Sequence, residues 1–303
     1  MAEELRFDGK RVIVTGGGRG FGSSHARMFA ARGAKVVVAD LGAEVDGSGS
    51  SPEPAEQVAK EINDAGGEAL AAFGDVSDPG DARAIVRAAL HAWGGLDILV
   101  NNAGISDPDW FSEETIERYH RMTDVQYLGT VLMAKEAWSA LLESRGCVVN
   151  TTSEAILGRV PKNIAYSGAK GAVFSFTRAL ALDGHRNGVR VNAVAPRGTT
   201  RMSGPEALSR YFDLPPGAFD EQLLASRKKE HASAAVGFLA HPSCTLTGET
   251  IICGGGRAMR LAVVESVGID TGGDIFPEDL AADVDRLMDL SGAEPRGLGI
   301  DEL

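Results

Sequence analysis

A chain of 303 residues that is 44% hydrophobic and 24% charged carries enough apolar material for a sizeable core, which excludes a disordered polymer. Its formal net charge of −12 argues against nucleic acid or an anionic membrane as a partner. Nine of those net charges fall within residues 265–303, so the body is nearly neutral and its acidity says little about a substrate.

Taken in chain order, short apolar runs alternate with helical patterns. Arg11–Thr15 (RVIVT) reads as a buried strand that runs into Thr15-Gly16-Gly17-Gly18-Arg19-Gly20-Phe21-Gly22, and a helix is predicted over 22–32. Glycines here let the backbone turn tightly and approach a pyrophosphate, whose charge the helix amino terminus favours. Gly16, Arg19, Gly20, Phe21 and Gly22 are therefore expected to hold a dinucleotide.

The next strand, Lys35–Asp40, ends on an acidic residue. A carboxylate at Asp40 accepts both ribose hydroxyls of NAD and repels a 2′-phosphate, whereas Arg19 pulls weakly toward that phosphate. NAD is the cofactor this pattern predicts. Residues 42–54 form a glycine- and serine-rich insertion that reads as an exposed loop. A helix is predicted over 55–65 and a third buried strand over Glu68–Phe73. Asp75-Val76 then lies either near adenine or in a cap ahead of the helix predicted over 81–93.

Strand Ile98–Asn101 leads into Asn101-Asn102-Ala103-Gly104, whose small residues admit a ligand and whose amides equally suit a tie between strands. One long helix is predicted over 116–143, then strand Cys147–Thr151, then a helix over 166–183. Ser153 follows that strand, where the carboxyl ends of parallel strands meet ligands. Four-residue spacing puts Tyr166 and Lys170 on one helix face, so an ammonium is available to lower the pKa of a phenol that is ordinarily near 10.

Strand 190–194 precedes a segment, 197–227, whose prolines at 205, 215 and 216 and aromatics Tyr211 and Phe212 suggest a mobile lid. Strand 250–253 closes the pattern, and Leu280, Val284, Leu287 and Met288 form a stripe that predicts one docked amphipathic helix in the tail. Strand–helix alternation of this kind predicts a doubly wound α/β fold with helices on both faces of a parallel sheet. Trp110, Phe111, Tyr211, Phe212 and Phe219 are candidates for a substrate wall. Cys147, Cys244 and Cys253 read as buried free thiols, and the six histidines form no metal-ligand pattern. The segment MAEELRFDGK has no apolar signal region and no run reaches the ~18 residues of a membrane span, so a cytoplasmic protein without metal or membrane partner is expected.

Thr15-Gly16-x-x-x-Gly20-x-Gly22, Asn101-Asn102-Ala103-Gly104, Ser153 and Tyr166-x-x-x-Lys170, in that order over about residues 7–260, resemble the single-domain branch of the short-chain dehydrogenase/reductase family. The resemblance implies a Rossmann-like parallel sheet of about seven strands and a Ser153–Tyr166–Lys170 catalytic core. It also implies a homodimer or homotetramer. Asn102, Ala103, Gly104, Tyr166, Lys170, Pro196 and Thr199 would join the glycines, Asp40, Asp75 and Val76 around NAD, with Thr199 or Thr200 orienting the carboxamide or merely capping the loop.

Val38-Ala39-Asp40-Leu41-Gly42 with its insertion, and the run from Ala195 to Met202, look like the dehydrogenase unit of multifunctional β-oxidation enzymes and hydroxysteroid dehydrogenases. Pro196-Arg197 stands where most members have Pro-Gly. Gln126, in Val125-Gln126-Tyr127-Leu128-Gly129, stands where the family commonly has a catalytic asparagine that holds a proton-relay water.

The expected organisation is one catalytic domain over 1–260 with a substrate loop at 197–227, followed by an acidic extension over 261–303. The expected activity is NAD-dependent hydride transfer between nicotinamide and a secondary alcohol or ketone, with a 3-hydroxyacyl-CoA or hydroxysteroid as substrate. A ketoreductase on another small or polycyclic ketone and a non-catalytic NAD-sensing protein are the alternatives.

Overall fold

Runs such as Val12-Ile13-Val14, Val36-Val37-Val38 and Leu99-Val100 have no polar alternation, so a strand built from them needs cover on both faces. In a computed structural model of the chain, which describes residues 3–215, 217–220, 222, 224 and 226–298, these side chains are fully buried. The chain divides into two compact units, Met1–Met259 and Arg260–Leu303.

In the first unit β1 (Arg11–Thr15) pairs in parallel with β2 (Lys35–Asp40) on one side and β4 (Ile98–Asn101) on the other, Val12 facing both Val36 and Ile98. β3 (Glu68–Phe73) pairs with β2, and β5 (Cys147–Thr151), β6 (Arg190–Pro196) and β7 (Thr250–Gly254) continue beyond β4, all in parallel. The strand order is β3-β2-β1-β4-β5-β6-β7-β8. The strand order reverses between β1 and β4, which is where a crevice opens at the carboxyl ends of the strands.

Alternate residues face opposite layers. Val12, Val14, Val36, Val38 and Val100 pack in one cluster with Phe29 of α1 (Gly20–Ala31), Val58 of α2 (Glu53–Asp64) and Val236 of α8 (Glu230–Ala240). On the other face, α3 (Pro79–Trp93), α5 (Gly129–Ser144) and α6 (Ile164–His185) bury Ile85, Met133 and Val173. Asn101 Nδ2 donates to Asn150 Oδ1 (3.0 Å) and Asn150 Nδ2 to Thr177 Oγ1 (3.0 Å), a buried polar chain that ties β4 to β5 and β5 to α6.

The observed elements differ from the expected ones at several points. An eighth strand, β8 (Arg257–Leu261), follows β7 and lies next to it in the sheet order; its exposed arginines hid it among loop residues. β3 is an edge strand with Phe73 51% exposed, because it has one neighbour only and needs little cover. The helix predicted over 116–143 is interrupted: α4 (Ile116–Thr123) passes into a π-helical turn at Asp124–Leu128 before α5. Segment 197–227 contains α7 (Pro205–Phe212), which starts on a proline, and buries Tyr211; Pro216 lies outside the described residues. α8 was not foreseen, since its buried face is built from Ala232, Ser233, Ala235 and Gly237 and shows no strong apolar stripe.

In the second unit the single docked helix is replaced by two short ones, α9 (Pro277–Ala282) and α10 (Val284–Met288), divided at Asp283 and without a buried residue between them. Within that unit Val264 bridges Pro295 and Ser266 Oγ donates to Leu287 O (2.8 Å). No described helix is long and apolar enough to cross a membrane.

Candidate active site

A cavity of about 1090 Å³ runs along the carboxyl ends of the strands. At one end lie Gly16, Gly18, Arg19, Gly20 and Phe21, at the junction of β1 and α1. Gly16 and Gly20 have φ of +62° and +54°, which only glycine adopts without strain. Arg19 caps α1 without a side-chain hydrogen bond, and no acidic residue occupies the first turn, so the positive end of the helix dipole is not offset by a carboxylate. Gly22 is off the cavity wall. A Cβ there would fall 2.0 Å from Gly16 O and 2.5 Å from Asn102 Nδ2, so this glycine serves packing. Gly22→Ala should destabilise the fold by roughly 1–3 kcal/mol through overpacking. The check is the thermal midpoint, and an unchanged value would remove that contact as the reason for glycine.

Asp40 ends β2 on the same wall. Its Oδ2 accepts from Gly18 N (2.7 Å) and its Oδ1 from Gly42 N (2.6 Å), which fixes the carboxylate without a cation. Arg19 is committed elsewhere: Nη1 donates to Ala43 O (3.0 Å) and lies 3.9 Å from Glu44, whose other oxygen is 3.0 Å from Arg201. The insertion after β2 is thereby pinned from two sides, and Ser106 N adds a bond to Val45 O (2.7 Å).

Asp75 and Val76 line the cavity. The cap of α3 is Asp78, which accepts from Gly80 N and Asp81 N, while Asp75 accepts from Ser77 and pairs with Arg121 at 3.2 Å. Burial pushes the Asp75 carboxyl up, but the Ser77 hydrogen bonds and the Arg121 charge outweigh it and hold the group below its ordinary range. Asn102, Ala103 and Gly104 form the middle of the wall, with Asn102 Nδ2 donating to Thr15 O (3.0 Å) and Gly16 O (3.2 Å). Asn101 is a strand tie only, off the wall.

At the far end Ser153, Tyr166 and Lys170 come together. Ser153 caps the short 3-10 turn Glu154–Leu157, accepting from Ala155 N (3.1 Å), and lines the cavity with Tyr166. Lys170 is 3% exposed; its Nζ donates to Thr151 O (2.7 Å) and sits 5.7 Å from the centre of the Tyr166 ring. Burial pushes the lysine down to about 7. Burial also pushes the Tyr166 phenol above its ordinary range, Tyr211 adds to this, and the Ser153 hydroxyl opposes it. The expected lowering of the phenol by Lys170 is thus not found in the protein alone, because burial disfavours charge on both groups.

Gln126 is fully buried in the π-helical turn. Its Nε2 donates to Ile105 O (2.6 Å), and its Oε1 has no partner among the described residues. The amide fits because Gly104 has no side chain: a Cβ there would lie 2.7 Å from Oε1. Pro196 lines the cavity, but Thr199 turns its hydroxyl to Leu224 O (2.5 Å), and it is Thr200 that stands on the wall. Of the five aromatics considered for a substrate wall, Tyr211 alone lines the cavity; Trp110 lies under Lys162, and Phe212 packs with Phe219. Two features escaped the sequence. Arg197 binds Glu154 through two 2.5 Å bonds, and Tyr211 Oη lies 2.6 Å from Ser106 Oγ. Both pairs join residues tens of positions apart, so no local spacing announces them. Among the described residues no His, Cys, Asp and Glu cluster suits a metal ion.

A family profile described as short chain dehydrogenase matches residues 10–207. The peroxisomal hydratase-dehydrogenase-epimerase of Neurospora crassa is 37% identical over 271 residues, which cover 89% of this chain and 29% of that protein. The chain spans 29% to 59% of the length of three such multifunctional relatives. Among solved structures, a short chain dehydrogenase from Mycobacterium avium superposes with a TM-score of 0.77 at 33% identity, covering 97% of this chain and 98% of that one. Carveol dehydrogenase from Mycobacterium avium in complex with NAD gives a TM-score of 0.74 at 26% identity, covering 82% and 97%.

Proposed function

This chain belongs to the short-chain dehydrogenase family, and we propose that it transfers a hydride between NAD and a secondary alcohol or ketone, a 3-hydroxyacyl-CoA or hydroxysteroid being the substrate class. The observation that carries the reading is one cavity with Ser153, Tyr166 and Lys170 at one end and Asp40 beside the α1 amino terminus at the other.

The residues fit the dinucleotide. Asp40 is held by two backbone amides and keeps lone pairs for a ribose diol, while a 2′-phosphate would meet a carboxylate with its nearest arginine engaged elsewhere. Gly16 and Gly18 line the cavity and let the turn pack closely on its neighbours, since a Cβ would fall 2.8 Å from Ala103 Cα and 2.7 Å from Pro54 Cβ. NAD, when bound, supplies the hydride acceptor. Ser153 Oγ orients the substrate oxygen, and Tyr166 Oη, in its phenolate form, takes the hydroxyl proton. Lys170, with a pKa near 7, can hold or release a proton at Nζ at neutral pH, and it lines the same cavity. Gln126 Oε1 is a buried acceptor, free among the described residues, for a relay that passes that proton on. A homodimer or homotetramer belongs to the same proposal and is checked by the mass of the protein in solution.

The test is NADH formation by the purified protein, with NAD against NADP, over 3-hydroxyacyl-CoAs, hydroxysteroids and simple cyclic alcohols. Turnover with NAD on one class is the expected result. Tight NAD binding without oxidation of any alcohol would overturn it in favour of a sensing protein. Asp40→Ala should cost about 10- to 100-fold in kcat/KM for NAD, the worth of charge-assisted hydrogen bonds, and narrow the preference over NADP. An unchanged preference would remove Asp40 from cofactor selection.

A further inference from the structure

α7 places Tyr211, 7% exposed, on the wall of the cavity that holds Tyr166. Its Oη lies 2.6 Å from Ser106 Oγ, and neither oxygen has another side-chain partner among the described residues. Two hydroxyls carry two protons, and the bond between them uses one. Hydroxyl donors rotate, so with Ser106 as donor the phenol proton is left over. A buried donor without an acceptor is costly, and of the two residues only Tyr211 lines the cavity. Burial keeps this phenol above its ordinary range, against the Ser106 bond and the Arg210 charge, so it remains a donor at neutral pH. Tyr166 lines the same cavity.

We propose that Tyr211 is a substrate-binding residue whose hydroxyl donates to a second oxygen of the substrate, beside the carbon on which Ser153 and Tyr166 act. The substrate class is then an alcohol or ketone with a neighbouring acceptor oxygen, such as a 3-hydroxy thioester, a hydroxyketone or a vicinal diol, in preference to a plain secondary alcohol. The proposal rests on reading Ser153 and Tyr166 as the reacting end. Arg197, whose guanidinium is taken by Glu154, is not the group that meets this oxygen.

The experiment is titration calorimetry on the NADH-loaded protein with acetoin and with 2-butanone, which lacks the second oxygen. The wild type should bind acetoin about 10- to 100-fold more tightly, the range of one buried hydrogen bond to an unpaired donor. In Tyr211→Phe the ratio should fall below about threefold, with the thermal midpoint recorded to separate recognition from folding. Ser106→Ala, which keeps the phenol proton, should retain the preference. A wild type that binds acetoin no better than 2-butanone overturns the proposal, as does a Tyr211→Phe protein that keeps the ratio. Failure of the underlying reading is distinguished by Tyr166→Phe, which would then turn over substrate as the wild type does.

Discussion

Tyr166→Phe should lower turnover with NAD by about 10²- to 10⁴-fold, the range contributed by a positioned general base. The substitution removes one oxygen and leaves the ring. Among the described residues Ser153 is the side chain that acts as a hydrogen-bonding neighbour of that hydroxyl, so the fold has little to lose. Tyr211 lines the same cavity, but its hydroxyl is paired with Ser106 and not with Ser153. Because burial raises the Tyr166 phenol, its charged form is scarce at neutral pH. The wild-type rate should therefore rise with pH through neutrality, as more of the phenol becomes available as a base. Single-turnover kinetics with dinucleotide binding measured in parallel would decide it. Retention of more than about a tenth of the rate, with the dinucleotide bound, would mean that the base is another group.

Lys170→Met should move activity and stability in opposite directions. In the folded protein Lys170 titrates near 7, against 10.5 in the open chain, with burial as the cause. Between those values the unfolded chain binds a proton that the folded protein does not, so stability rises with pH from about 7 to 10.5. Below the folded value the full cost is present, on the order of 4 to 5 kcal/mol before the bond to Thr151 O offsets part of it. A methionine of similar length removes the charge. It should stabilise the dinucleotide-free protein by roughly 1–4 kcal/mol at pH 7, with the gain shrinking toward pH 10, while turnover falls by at least about a hundredfold. Urea denaturation at the two pH values would test this. A variant less stable than wild type at pH 7, or a difference that does not narrow as pH rises, would refute the buried-ammonium argument.

The parts of this molecule that were legible in sequence are those where one residue type has one physical use. Val12-Ile13-Val14 and its counterparts cannot be covered except in a sheet buried on both faces, and the spacing of Tyr166 and Lys170 holds on any helix. Gly16, Asp40 and Ser153 stand at strand ends that such a sheet brings to one edge. What stayed hidden depends on partners far along the chain. α8 packs on α1 through Ser24, His25 and Ser233, polar residues that no apolar stripe reveals. The π-helical turn accommodates Gln126 against Ile105 O, a contact across 21 residues. Thr199 and Thr200 are adjacent and chemically alike, so only the bond to Leu224 O separates the one turned inward from the one on the wall. The tail misled because Leu280, Val284, Leu287 and Met288 are spaced as a stripe, yet Asp283 breaks the helix that would have carried it.

The polar chain Asn101–Asn150–Thr177, with Thr152 Oγ1 on Lys170 O and Lys170 Nζ on Thr151 O, anchors α6 to the strand end from which Ser153 projects. The spacing of the serine, the phenol and the ammonium is therefore set inside the core. Tyr211 and the insertion after β2 belong to connecting segments instead. Such an arrangement separates two kinds of inheritance: surface segments can be exchanged or lengthened over generations, changing what is recognised, while the reacting groups keep their distances. Novelty in substrate would then be gained without first dismantling the chemistry.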